Sequence, residues 1–186
     1  MAKTLNLEKI LACPKCHTKI SRAFLRINNP KSDGKCQKCG FAYSKKTGIW
    51  HLLYLPNPQT SKSLLVYNQM HQQDFGGPSD GSYEILASIA HGNKTVDIAA
   101  GEGLIERFAP ETVAVEFSKN ALIKAKKNGA KYLVLADAHS LPFRDNSFDV
   151  AICAGSMEHF ANPQEAISEM ARVSKIQVMT VHRPLP

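Results

Sequence analysis

The chain has 186 residues, 44% of them apolar and 21% charged, with a formal net charge of +7. That composition is ordinary for a globular protein and argues against a disordered or fibrous chain, and no eighteen-residue apolar run exists to form a transmembrane helix. The N-terminus, MAKTLNLEKI, has a lysine but no apolar stretch behind it, so no secretory signal is read and a reducing, cytoplasmic setting is expected.

The charge is unevenly placed. Residues 1–60 hold eleven Lys or Arg against Glu8 and Asp33, a local excess of +9, while the remainder carries −2. Such segregation is either a solvated surface or an electrostatic footprint for nucleic acid, and the second reading makes RNA the expected partner.

In chain order, LEKILA at 7–12 is a short apolar segment leading into Cys13-Pro14-Lys15-Cys16. KISRAFLRI at 19–27 alternates as a strand does, and a turn cluster follows at 28–34. Cys36-Gln37-Lys38-Cys39 precedes the strand-like FAYS, and IWHLLYL at 49–55 closes this part with apolar residues. Pro56-Asn57-Pro58 opens a linker running to residue 63.

From Leu64 the pattern changes. LLVYNQMHQQDF reads as helical, and SYEILASIAH at 82–91 has helical spacing with Ser82 as its N-cap. Short apolar runs then alternate with amphipathic helices. Strands are predicted at 95–99, 112–116, 132–135, 149–154 and 176–181, and helices at 104–108, 119–128 and 164–174. Strands alternating with helices imply a parallel sheet with helices on both faces. The predicted organisation is a four-cysteine module at 1–56, a linker at 57–63 and an α/β domain at 64–186.

The cysteine spacing is C-x2-C-x19-C-x2-C. Each CxxC sets two thiolates on one tight turn, and two such knuckles supply four tetrahedral corners for Zn2+. Cys13, Cys16, Cys36 and Cys39 are therefore the expected metal ligands. A closed four-thiolate site is structural, and a module of this size needs such a staple. The fifth cysteine, Cys153, sits in an apolar run and reads as core.

Val96 to Gly103, VDIAAGEG, follows an apolar strand, and Gly101 and Gly103 let backbone approach a ligand closely at the strand end. Glu116 closes the next strand, and a single carboxylate offers two oxygens to a vicinal diol. Asp137 and Ala138 end the one after it, and LPFRDNSFDVAICAGSMEHFANPQEAISEMARV follows.

D-x-[G/A]-x-G-x-G followed by this run resembles the class I S-adenosylmethionine (SAM)-dependent methyltransferases, over about residue 82 to the C-terminus. The resemblance implies a Rossmann-like fold and a SAM site built from Asp97, Ala99, Gly101, Gly103, Glu116, Phe117, Asp137, Ala138 and Ala154. Within it, Glu116 would meet the ribose hydroxyls, Phe117 the adenine ring and Asp137 the adenine amino group. The cysteine module placed ahead of it resembles that of methyltransferases that modify ribosomal RNA guanine. The implied function is methyl transfer from SAM to RNA, with the basic module gripping the substrate. Rivals are a methyltransferase of a small molecule or protein, and a non-catalytic SAM-binding regulatory subunit.

Ala99 stands where the family usually has glycine, and the sequence stops soon after its fifth strand where the family adds two more. An exposed sheet edge, covered by a second copy or a partner chain, is the expectation that follows. AGSMEHF replaces the [N/D]PPY of enzymes acting on exocyclic base amines. His159 is the candidate to take a proton, against a purely structural role at a helix start. Phe41, Trp50 and Tyr54 read as module core or as base-stacking surfaces.

Overall fold

The structure, a computed structural model, describes residues 5–20, 32–73 and 80–181. Most of the strand expected at 19–27 and the turn after it lie outside them. Eight strands form one sheet: β1 (Ser32–Lys35), β2 (Ala42–Lys46), β3 (Ile49–His51), β4 (Thr95–Ile98), β5 (Val113–Glu116), β6 (Tyr132–Leu135), β7 (Phe148–Ala154) and β8 (Ser174–Thr180). Their order is β1-β2-β3-β6-β5-β4-β7-β8. From β3 to β8 every pairing is parallel, and β1 and β2 add an antiparallel edge. Among the described residues four α-helices flank the sheet: α1 (Pro58–Met70), α2 (Ser82–Ala90), α3 (Lys119–Lys127) and α4 (Pro163–Val173).

Alternation along the strands assigns the two faces. Trp50, Val96, Val115, Val134, Ala151 and Cys153 pack with Ala166, Met170 and Val173 of α4. The intervening residues turn the other way. Ala114, Leu133 and Leu135 meet Leu122 and Ala125 of α3, and Val150 and Ile152 meet Leu86, Ala87 and Ala90 of α2. Strands buried on both faces read as continuous apolar runs, which is why their positions were legible.

The tertiary structure adds to several local readings. The N-terminal segment shares the main sheet, because β3 pairs with β6 and Leu52 N–H donates to Leu135 O at 2.9 Å. Most of the expected linker is the start of α1: Asn57 accepts from Gln59 N–H and Pro58 sits at the first helical position, where its missing N–H costs nothing. The segment 104–108 forms irregular hydrogen-bonded turns, since five residues without a capping side chain cannot meet the cost of helix nucleation. Ser82 is the first residue of α2 and not its cap, with Asp80 Oδ1 accepting from its N–H at 3.0 Å.

The LPFRD segment is clamped from α4. Glu169 Oε2 accepts from Leu141 N–H at 2.7 Å, while Arg172 donates to Leu141 O, Phe143 O and Asp145 Oδ1. One Glu-x-x-Arg pair thus satisfies three backbone groups of this loop, Leu141 N–H, Leu141 O and Phe143 O. Among the described residues no helix is long and apolar enough to cross a membrane.

Candidate functional site

Two structural features converge on the C-terminal ends of the strands. The chain runs β4 to β5 to β6 in one direction across the sheet, then returns to β7 and β8 on the other side of β4. Parallel sheets open their ligand crevice at this reversal. A cavity of about 440 Å³ lies there.

Asp97, Ala99, Gly101, Glu116, Phe117, Asp137, Ala138 and Ala154 all line this cavity. Gly103 does not. It is buried with φ +76°, and a Cβ there would come 2.8 Å from Ala125 Cβ. Its lack of a side chain lets α3 approach the glycine turn, so crowding by the protein itself explains this glycine. Gly101 is the opposite case: φ is +54° and nothing lies within 4 Å of where its Cβ would be. That open space belongs to the cavity. Ala99 takes the same left-handed backbone region at φ 58°, which costs a non-glycine residue about 1 kcal/mol.

Three carboxylates mark consecutive strand ends. Glu116 on β5 is 4% exposed, and its oxygens accept from Gly101 N–H at 3.0 Å and Ser118 N–H at 2.8 Å. Burial raises its pKa, opposed by those amides. Asp97 on β4 is buried with Oδ1 unpartnered among the described residues, and burial followed by the charges of Glu106 and Glu116 pushes its pKa well up. Asp137, just past β6, binds His139 Nδ1 at 2.7 Å through Oδ1, and its buried Oδ2 has no partner there either. Orphaned acceptors in a cavity call for a ligand rich in hydroxyl and amino donors. SAM, with an ammonium, a ribose diol and an adenine amino group, has that donor set.

Most of the remaining walls carry no sequence motif. Thr60, Ser63, Tyr67 and Met70 of α1, Tyr83 of α2, His71, His139 and Phe160 all line the cavity. The α1 positions recur on one helical face, a signal hidden by reading that stretch partly as linker. Helix α1 is tied down across the cleft by Ser118 Oγ donating to Asn68 Oδ1 at 2.8 Å and Asn120 Nδ2 donating to Asn68 O at 2.9 Å. Tyr67 lies 5.4 Å from the Phe117 ring and 6.3 Å from His159.

Three imidazoles reach the cavity. His71 binds Glu102, whose carboxyl burial alone would raise, but the bonds from His71 and Lys124 hold it below the usual range. His139 is held between Asp137 and Asn162. Burial alone would lower its pKa, but the Asp137 bond and charge outweigh that and raise it. The His159 side chain, exposed on a 3-10 turn at 157–159, lies against the Tyr67 ring. Cys153 is fully buried on the α4 face, with burial pushing its thiol up to about 12, so it remains inert core.

The four N-terminal cysteines also converge. Cys13 and Cys39 Sγ are 3.5 Å apart, as are Cys16 and Cys36, and all four sulfurs lie within 4.8 Å of one another. A tetrahedron with metal–sulfur bonds of about 2.3 Å has edges near 3.8 Å, so this cluster can hold one ion. The two turns are built alike: Cys13 O accepts from His17 N–H and Cys36 O from Gly40 N–H, both at 2.8 Å. Trp50 is buried in the main core, and Phe41 packs edge-on against Tyr54 at 6.0 Å. Trp50 is therefore not available to stack on a base.

Residues 96–179 match the family model described as a methyltransferase domain. Over 89 residues the chain is 36% identical to demethylmenaquinone methyltransferase of Paenarthrobacter aurescens, covering 45% of this chain and 35% of that protein. It is 31% identical over 104 residues to a ubiquinone/menaquinone biosynthesis C-methyltransferase of Stutzerimonas stutzeri, covering 48% and 41%. The chain therefore spans less than half the length of these relatives. The structure of magnesium protoporphyrin IX methyltransferase from Synechocystis PCC 6803 with bound SAM superimposes with a TM-score of 0.50 at 13% identity, over 66% of this chain and 74% of that one. The fold is the Rossmann-like fold of the methyltransferases.

Proposed function

We propose that this chain is a SAM-dependent methyltransferase whose acceptor is a small molecule with an apolar ring, and that Cys13, Cys16, Cys36 and Cys39 hold a structural Zn2+. The order of the carboxylates carries the reading. Asp97 and Glu116 sit on β4 and β5 and Asp137 just past the end of β6, three strands that are neighbours in the sheet. Neighbouring strands lie about 4.8 Å apart. The donors of SAM occur in a matching order: ammonium, ribose diol, adenine amino group. Glu116, in the middle, faces the diol under either orientation. Ala154 and His159 lie on the β7 side of β4, which puts the reacting end there and the adenine beside Asp137.

SAM, when bound, supplies a methyl carbon activated by its sulfonium. The chain's own work is alignment, with Gly101 leaving backbone room and α1 keeping water out. The acceptor would enter between Tyr67, Tyr83 and Phe160, whose rings favour an apolar planar group. His71 and His139 are occupied by carboxylates, so His159 is the imidazole placed to take a proton from the acceptor. The quinone-linked names of the matched relatives support a small-molecule acceptor.

RNA is the second reading, resting on the +9 carried by residues 1–60. Part of that charge is already engaged, since Lys45 pairs with Glu8 and lies over Trp50. The separating experiment incubates the full chain with tritiated SAM and total RNA, protein and organic-soluble extracts. Label in the organic-soluble fraction, reduced at least tenfold by His159→Gln, is expected. Label confined to RNA would overturn the small-molecule reading, and no label in any fraction would favour a regulatory subunit.

A further inference from the structure

Asp137 and His139 leave β6 on one loop, both nearly sealed from solvent, with side-chain exposures of 3% and 2%. Oδ1 of Asp137 is doubly engaged: His139 N–H reaches it at 3.2 Å and His139 Nδ1 at 2.7 Å. Oδ2 of the same carboxylate is buried, has no partner among the described residues, and belongs to a side chain that lines the cavity.

The other ring nitrogen settles the tautomer. Asn162 N–H donates to His139 Nε2 at 3.2 Å. Only an unprotonated nitrogen accepts an N–H, so the ring proton sits on Nδ1 and is donated to Asp137. Asn162 is itself the N-cap of α4, accepting from Glu165 N–H, and the Phe160 ring packs edge-on to the imidazole at 5.6 Å. The ring is thus fixed by one element and fixes the carboxylate of another.

We infer that His139 is a positioning residue that locks Asp137 with Oδ2 turned to the ligand, and so makes this end of the cavity select a 6-aminopurine over a 6-oxopurine. The inference rests on the SAM reading of the cavity and adds the residue that sets its base selectivity. An amino group donates to Oδ2. A 6-oxo group offers only a second acceptor there, so two lone pairs meet in a site closed to water. A carboxylate free to rotate would relieve that conflict. One held through Oδ1 cannot.

The test measures dissociation constants of the full chain for S-adenosylhomocysteine and for its 6-oxo analogue, S-inosylhomocysteine, by calorimetry. Wild type is expected to prefer the amino form by about 10-fold to 100-fold, the factor for a buried acceptor left without its donor. His139→Leu, which leaves only the longer 3.2 Å bond from the backbone N–H on Oδ1, should narrow the ratio by about threefold or more, whereas His139→Asn, which keeps a side-chain N–H, should retain most of the preference. Equal weakening of both ligands by His139→Leu, with the ratio unchanged, would reduce His139 to packing and overturn the inference. Wild type binding both equally would overturn it while leaving the SAM site standing, even if the leucine variant does not fold. Wild type binding neither would overturn the SAM site itself.

Discussion

Burying a carboxyl without a hydrogen-bond partner is costly, and Glu106 does so completely. It is 0% exposed, and both its oxygens are unpartnered among the described residues. Burial raises its pKa from 4.5 to about 8. The folded state therefore keeps the proton where the unfolded chain has lost it. Stability from this group is fully present below about pH 4.5 and is lost as pH rises through about 8. The slope in that window is about 1.4 kcal/mol per pH unit. Glu106→Gln removes the titration at nearly constant volume. Its melting temperature is expected to exceed that of wild type at pH 8, with the gap closing toward pH 5. Parallel pH profiles for the two proteins would contradict this account of Glu106. Ala99, like His17 and Thr47, is held in a left-handed conformation that local backbone preference would give to glycine.

At the scale of elements, the first cysteine turn is joined to the loop that carries Asp137 and His139. Ser140 Oγ donates to Pro14 O, and Ala12 N–H donates to Pro142 O at 2.9 Å. Leu11 bridges to Phe143, and Arg144 N–H reaches Ile10 O. On the proposed reading, a metal closing the cysteine turns would steady the Asp137 end of the cavity. Removing it with a chelator should lower the melting temperature and weaken S-adenosylhomocysteine binding at least tenfold, with both restored by added Zn2+. Binding that is unchanged after verified metal loss would disconnect the cysteine turns from the cavity. The sequence was readable for elements defined locally. The strand at 132–135 and the cysteine spacing needed only residues close together in the chain. Helix α1 was obscured because Pro56, Asn57 and Pro58 look like a linker, although Asn57-Pro58 is also a cap followed by a first helical residue. The pairing of β3 with β6 joins residues more than eighty positions apart, and no local pattern encodes it.

Across the whole molecule, the sheet joins the cysteine hairpin, the cofactor crevice and the α4 clamp into one structure. The glycine turn, Glu116 and Asp137 could be located in the sequence because they fall at the ends of readable strands. The wall formed by Tyr67, Met70 and Tyr83 could not, because helices α1 and α2 meet it only through the tertiary fold. Everything functional here depends on the crevice holding SAM across Asp97, Glu116 and Asp137. The direct measurement is calorimetric titration of the full chain with S-adenosylhomocysteine, alongside Glu116→Gln. One site per chain is predicted, weakened about tenfold or more when one diol-facing oxygen is replaced by an amide nitrogen. No binding at millimolar ligand, or equal affinity in the two proteins, would contradict it.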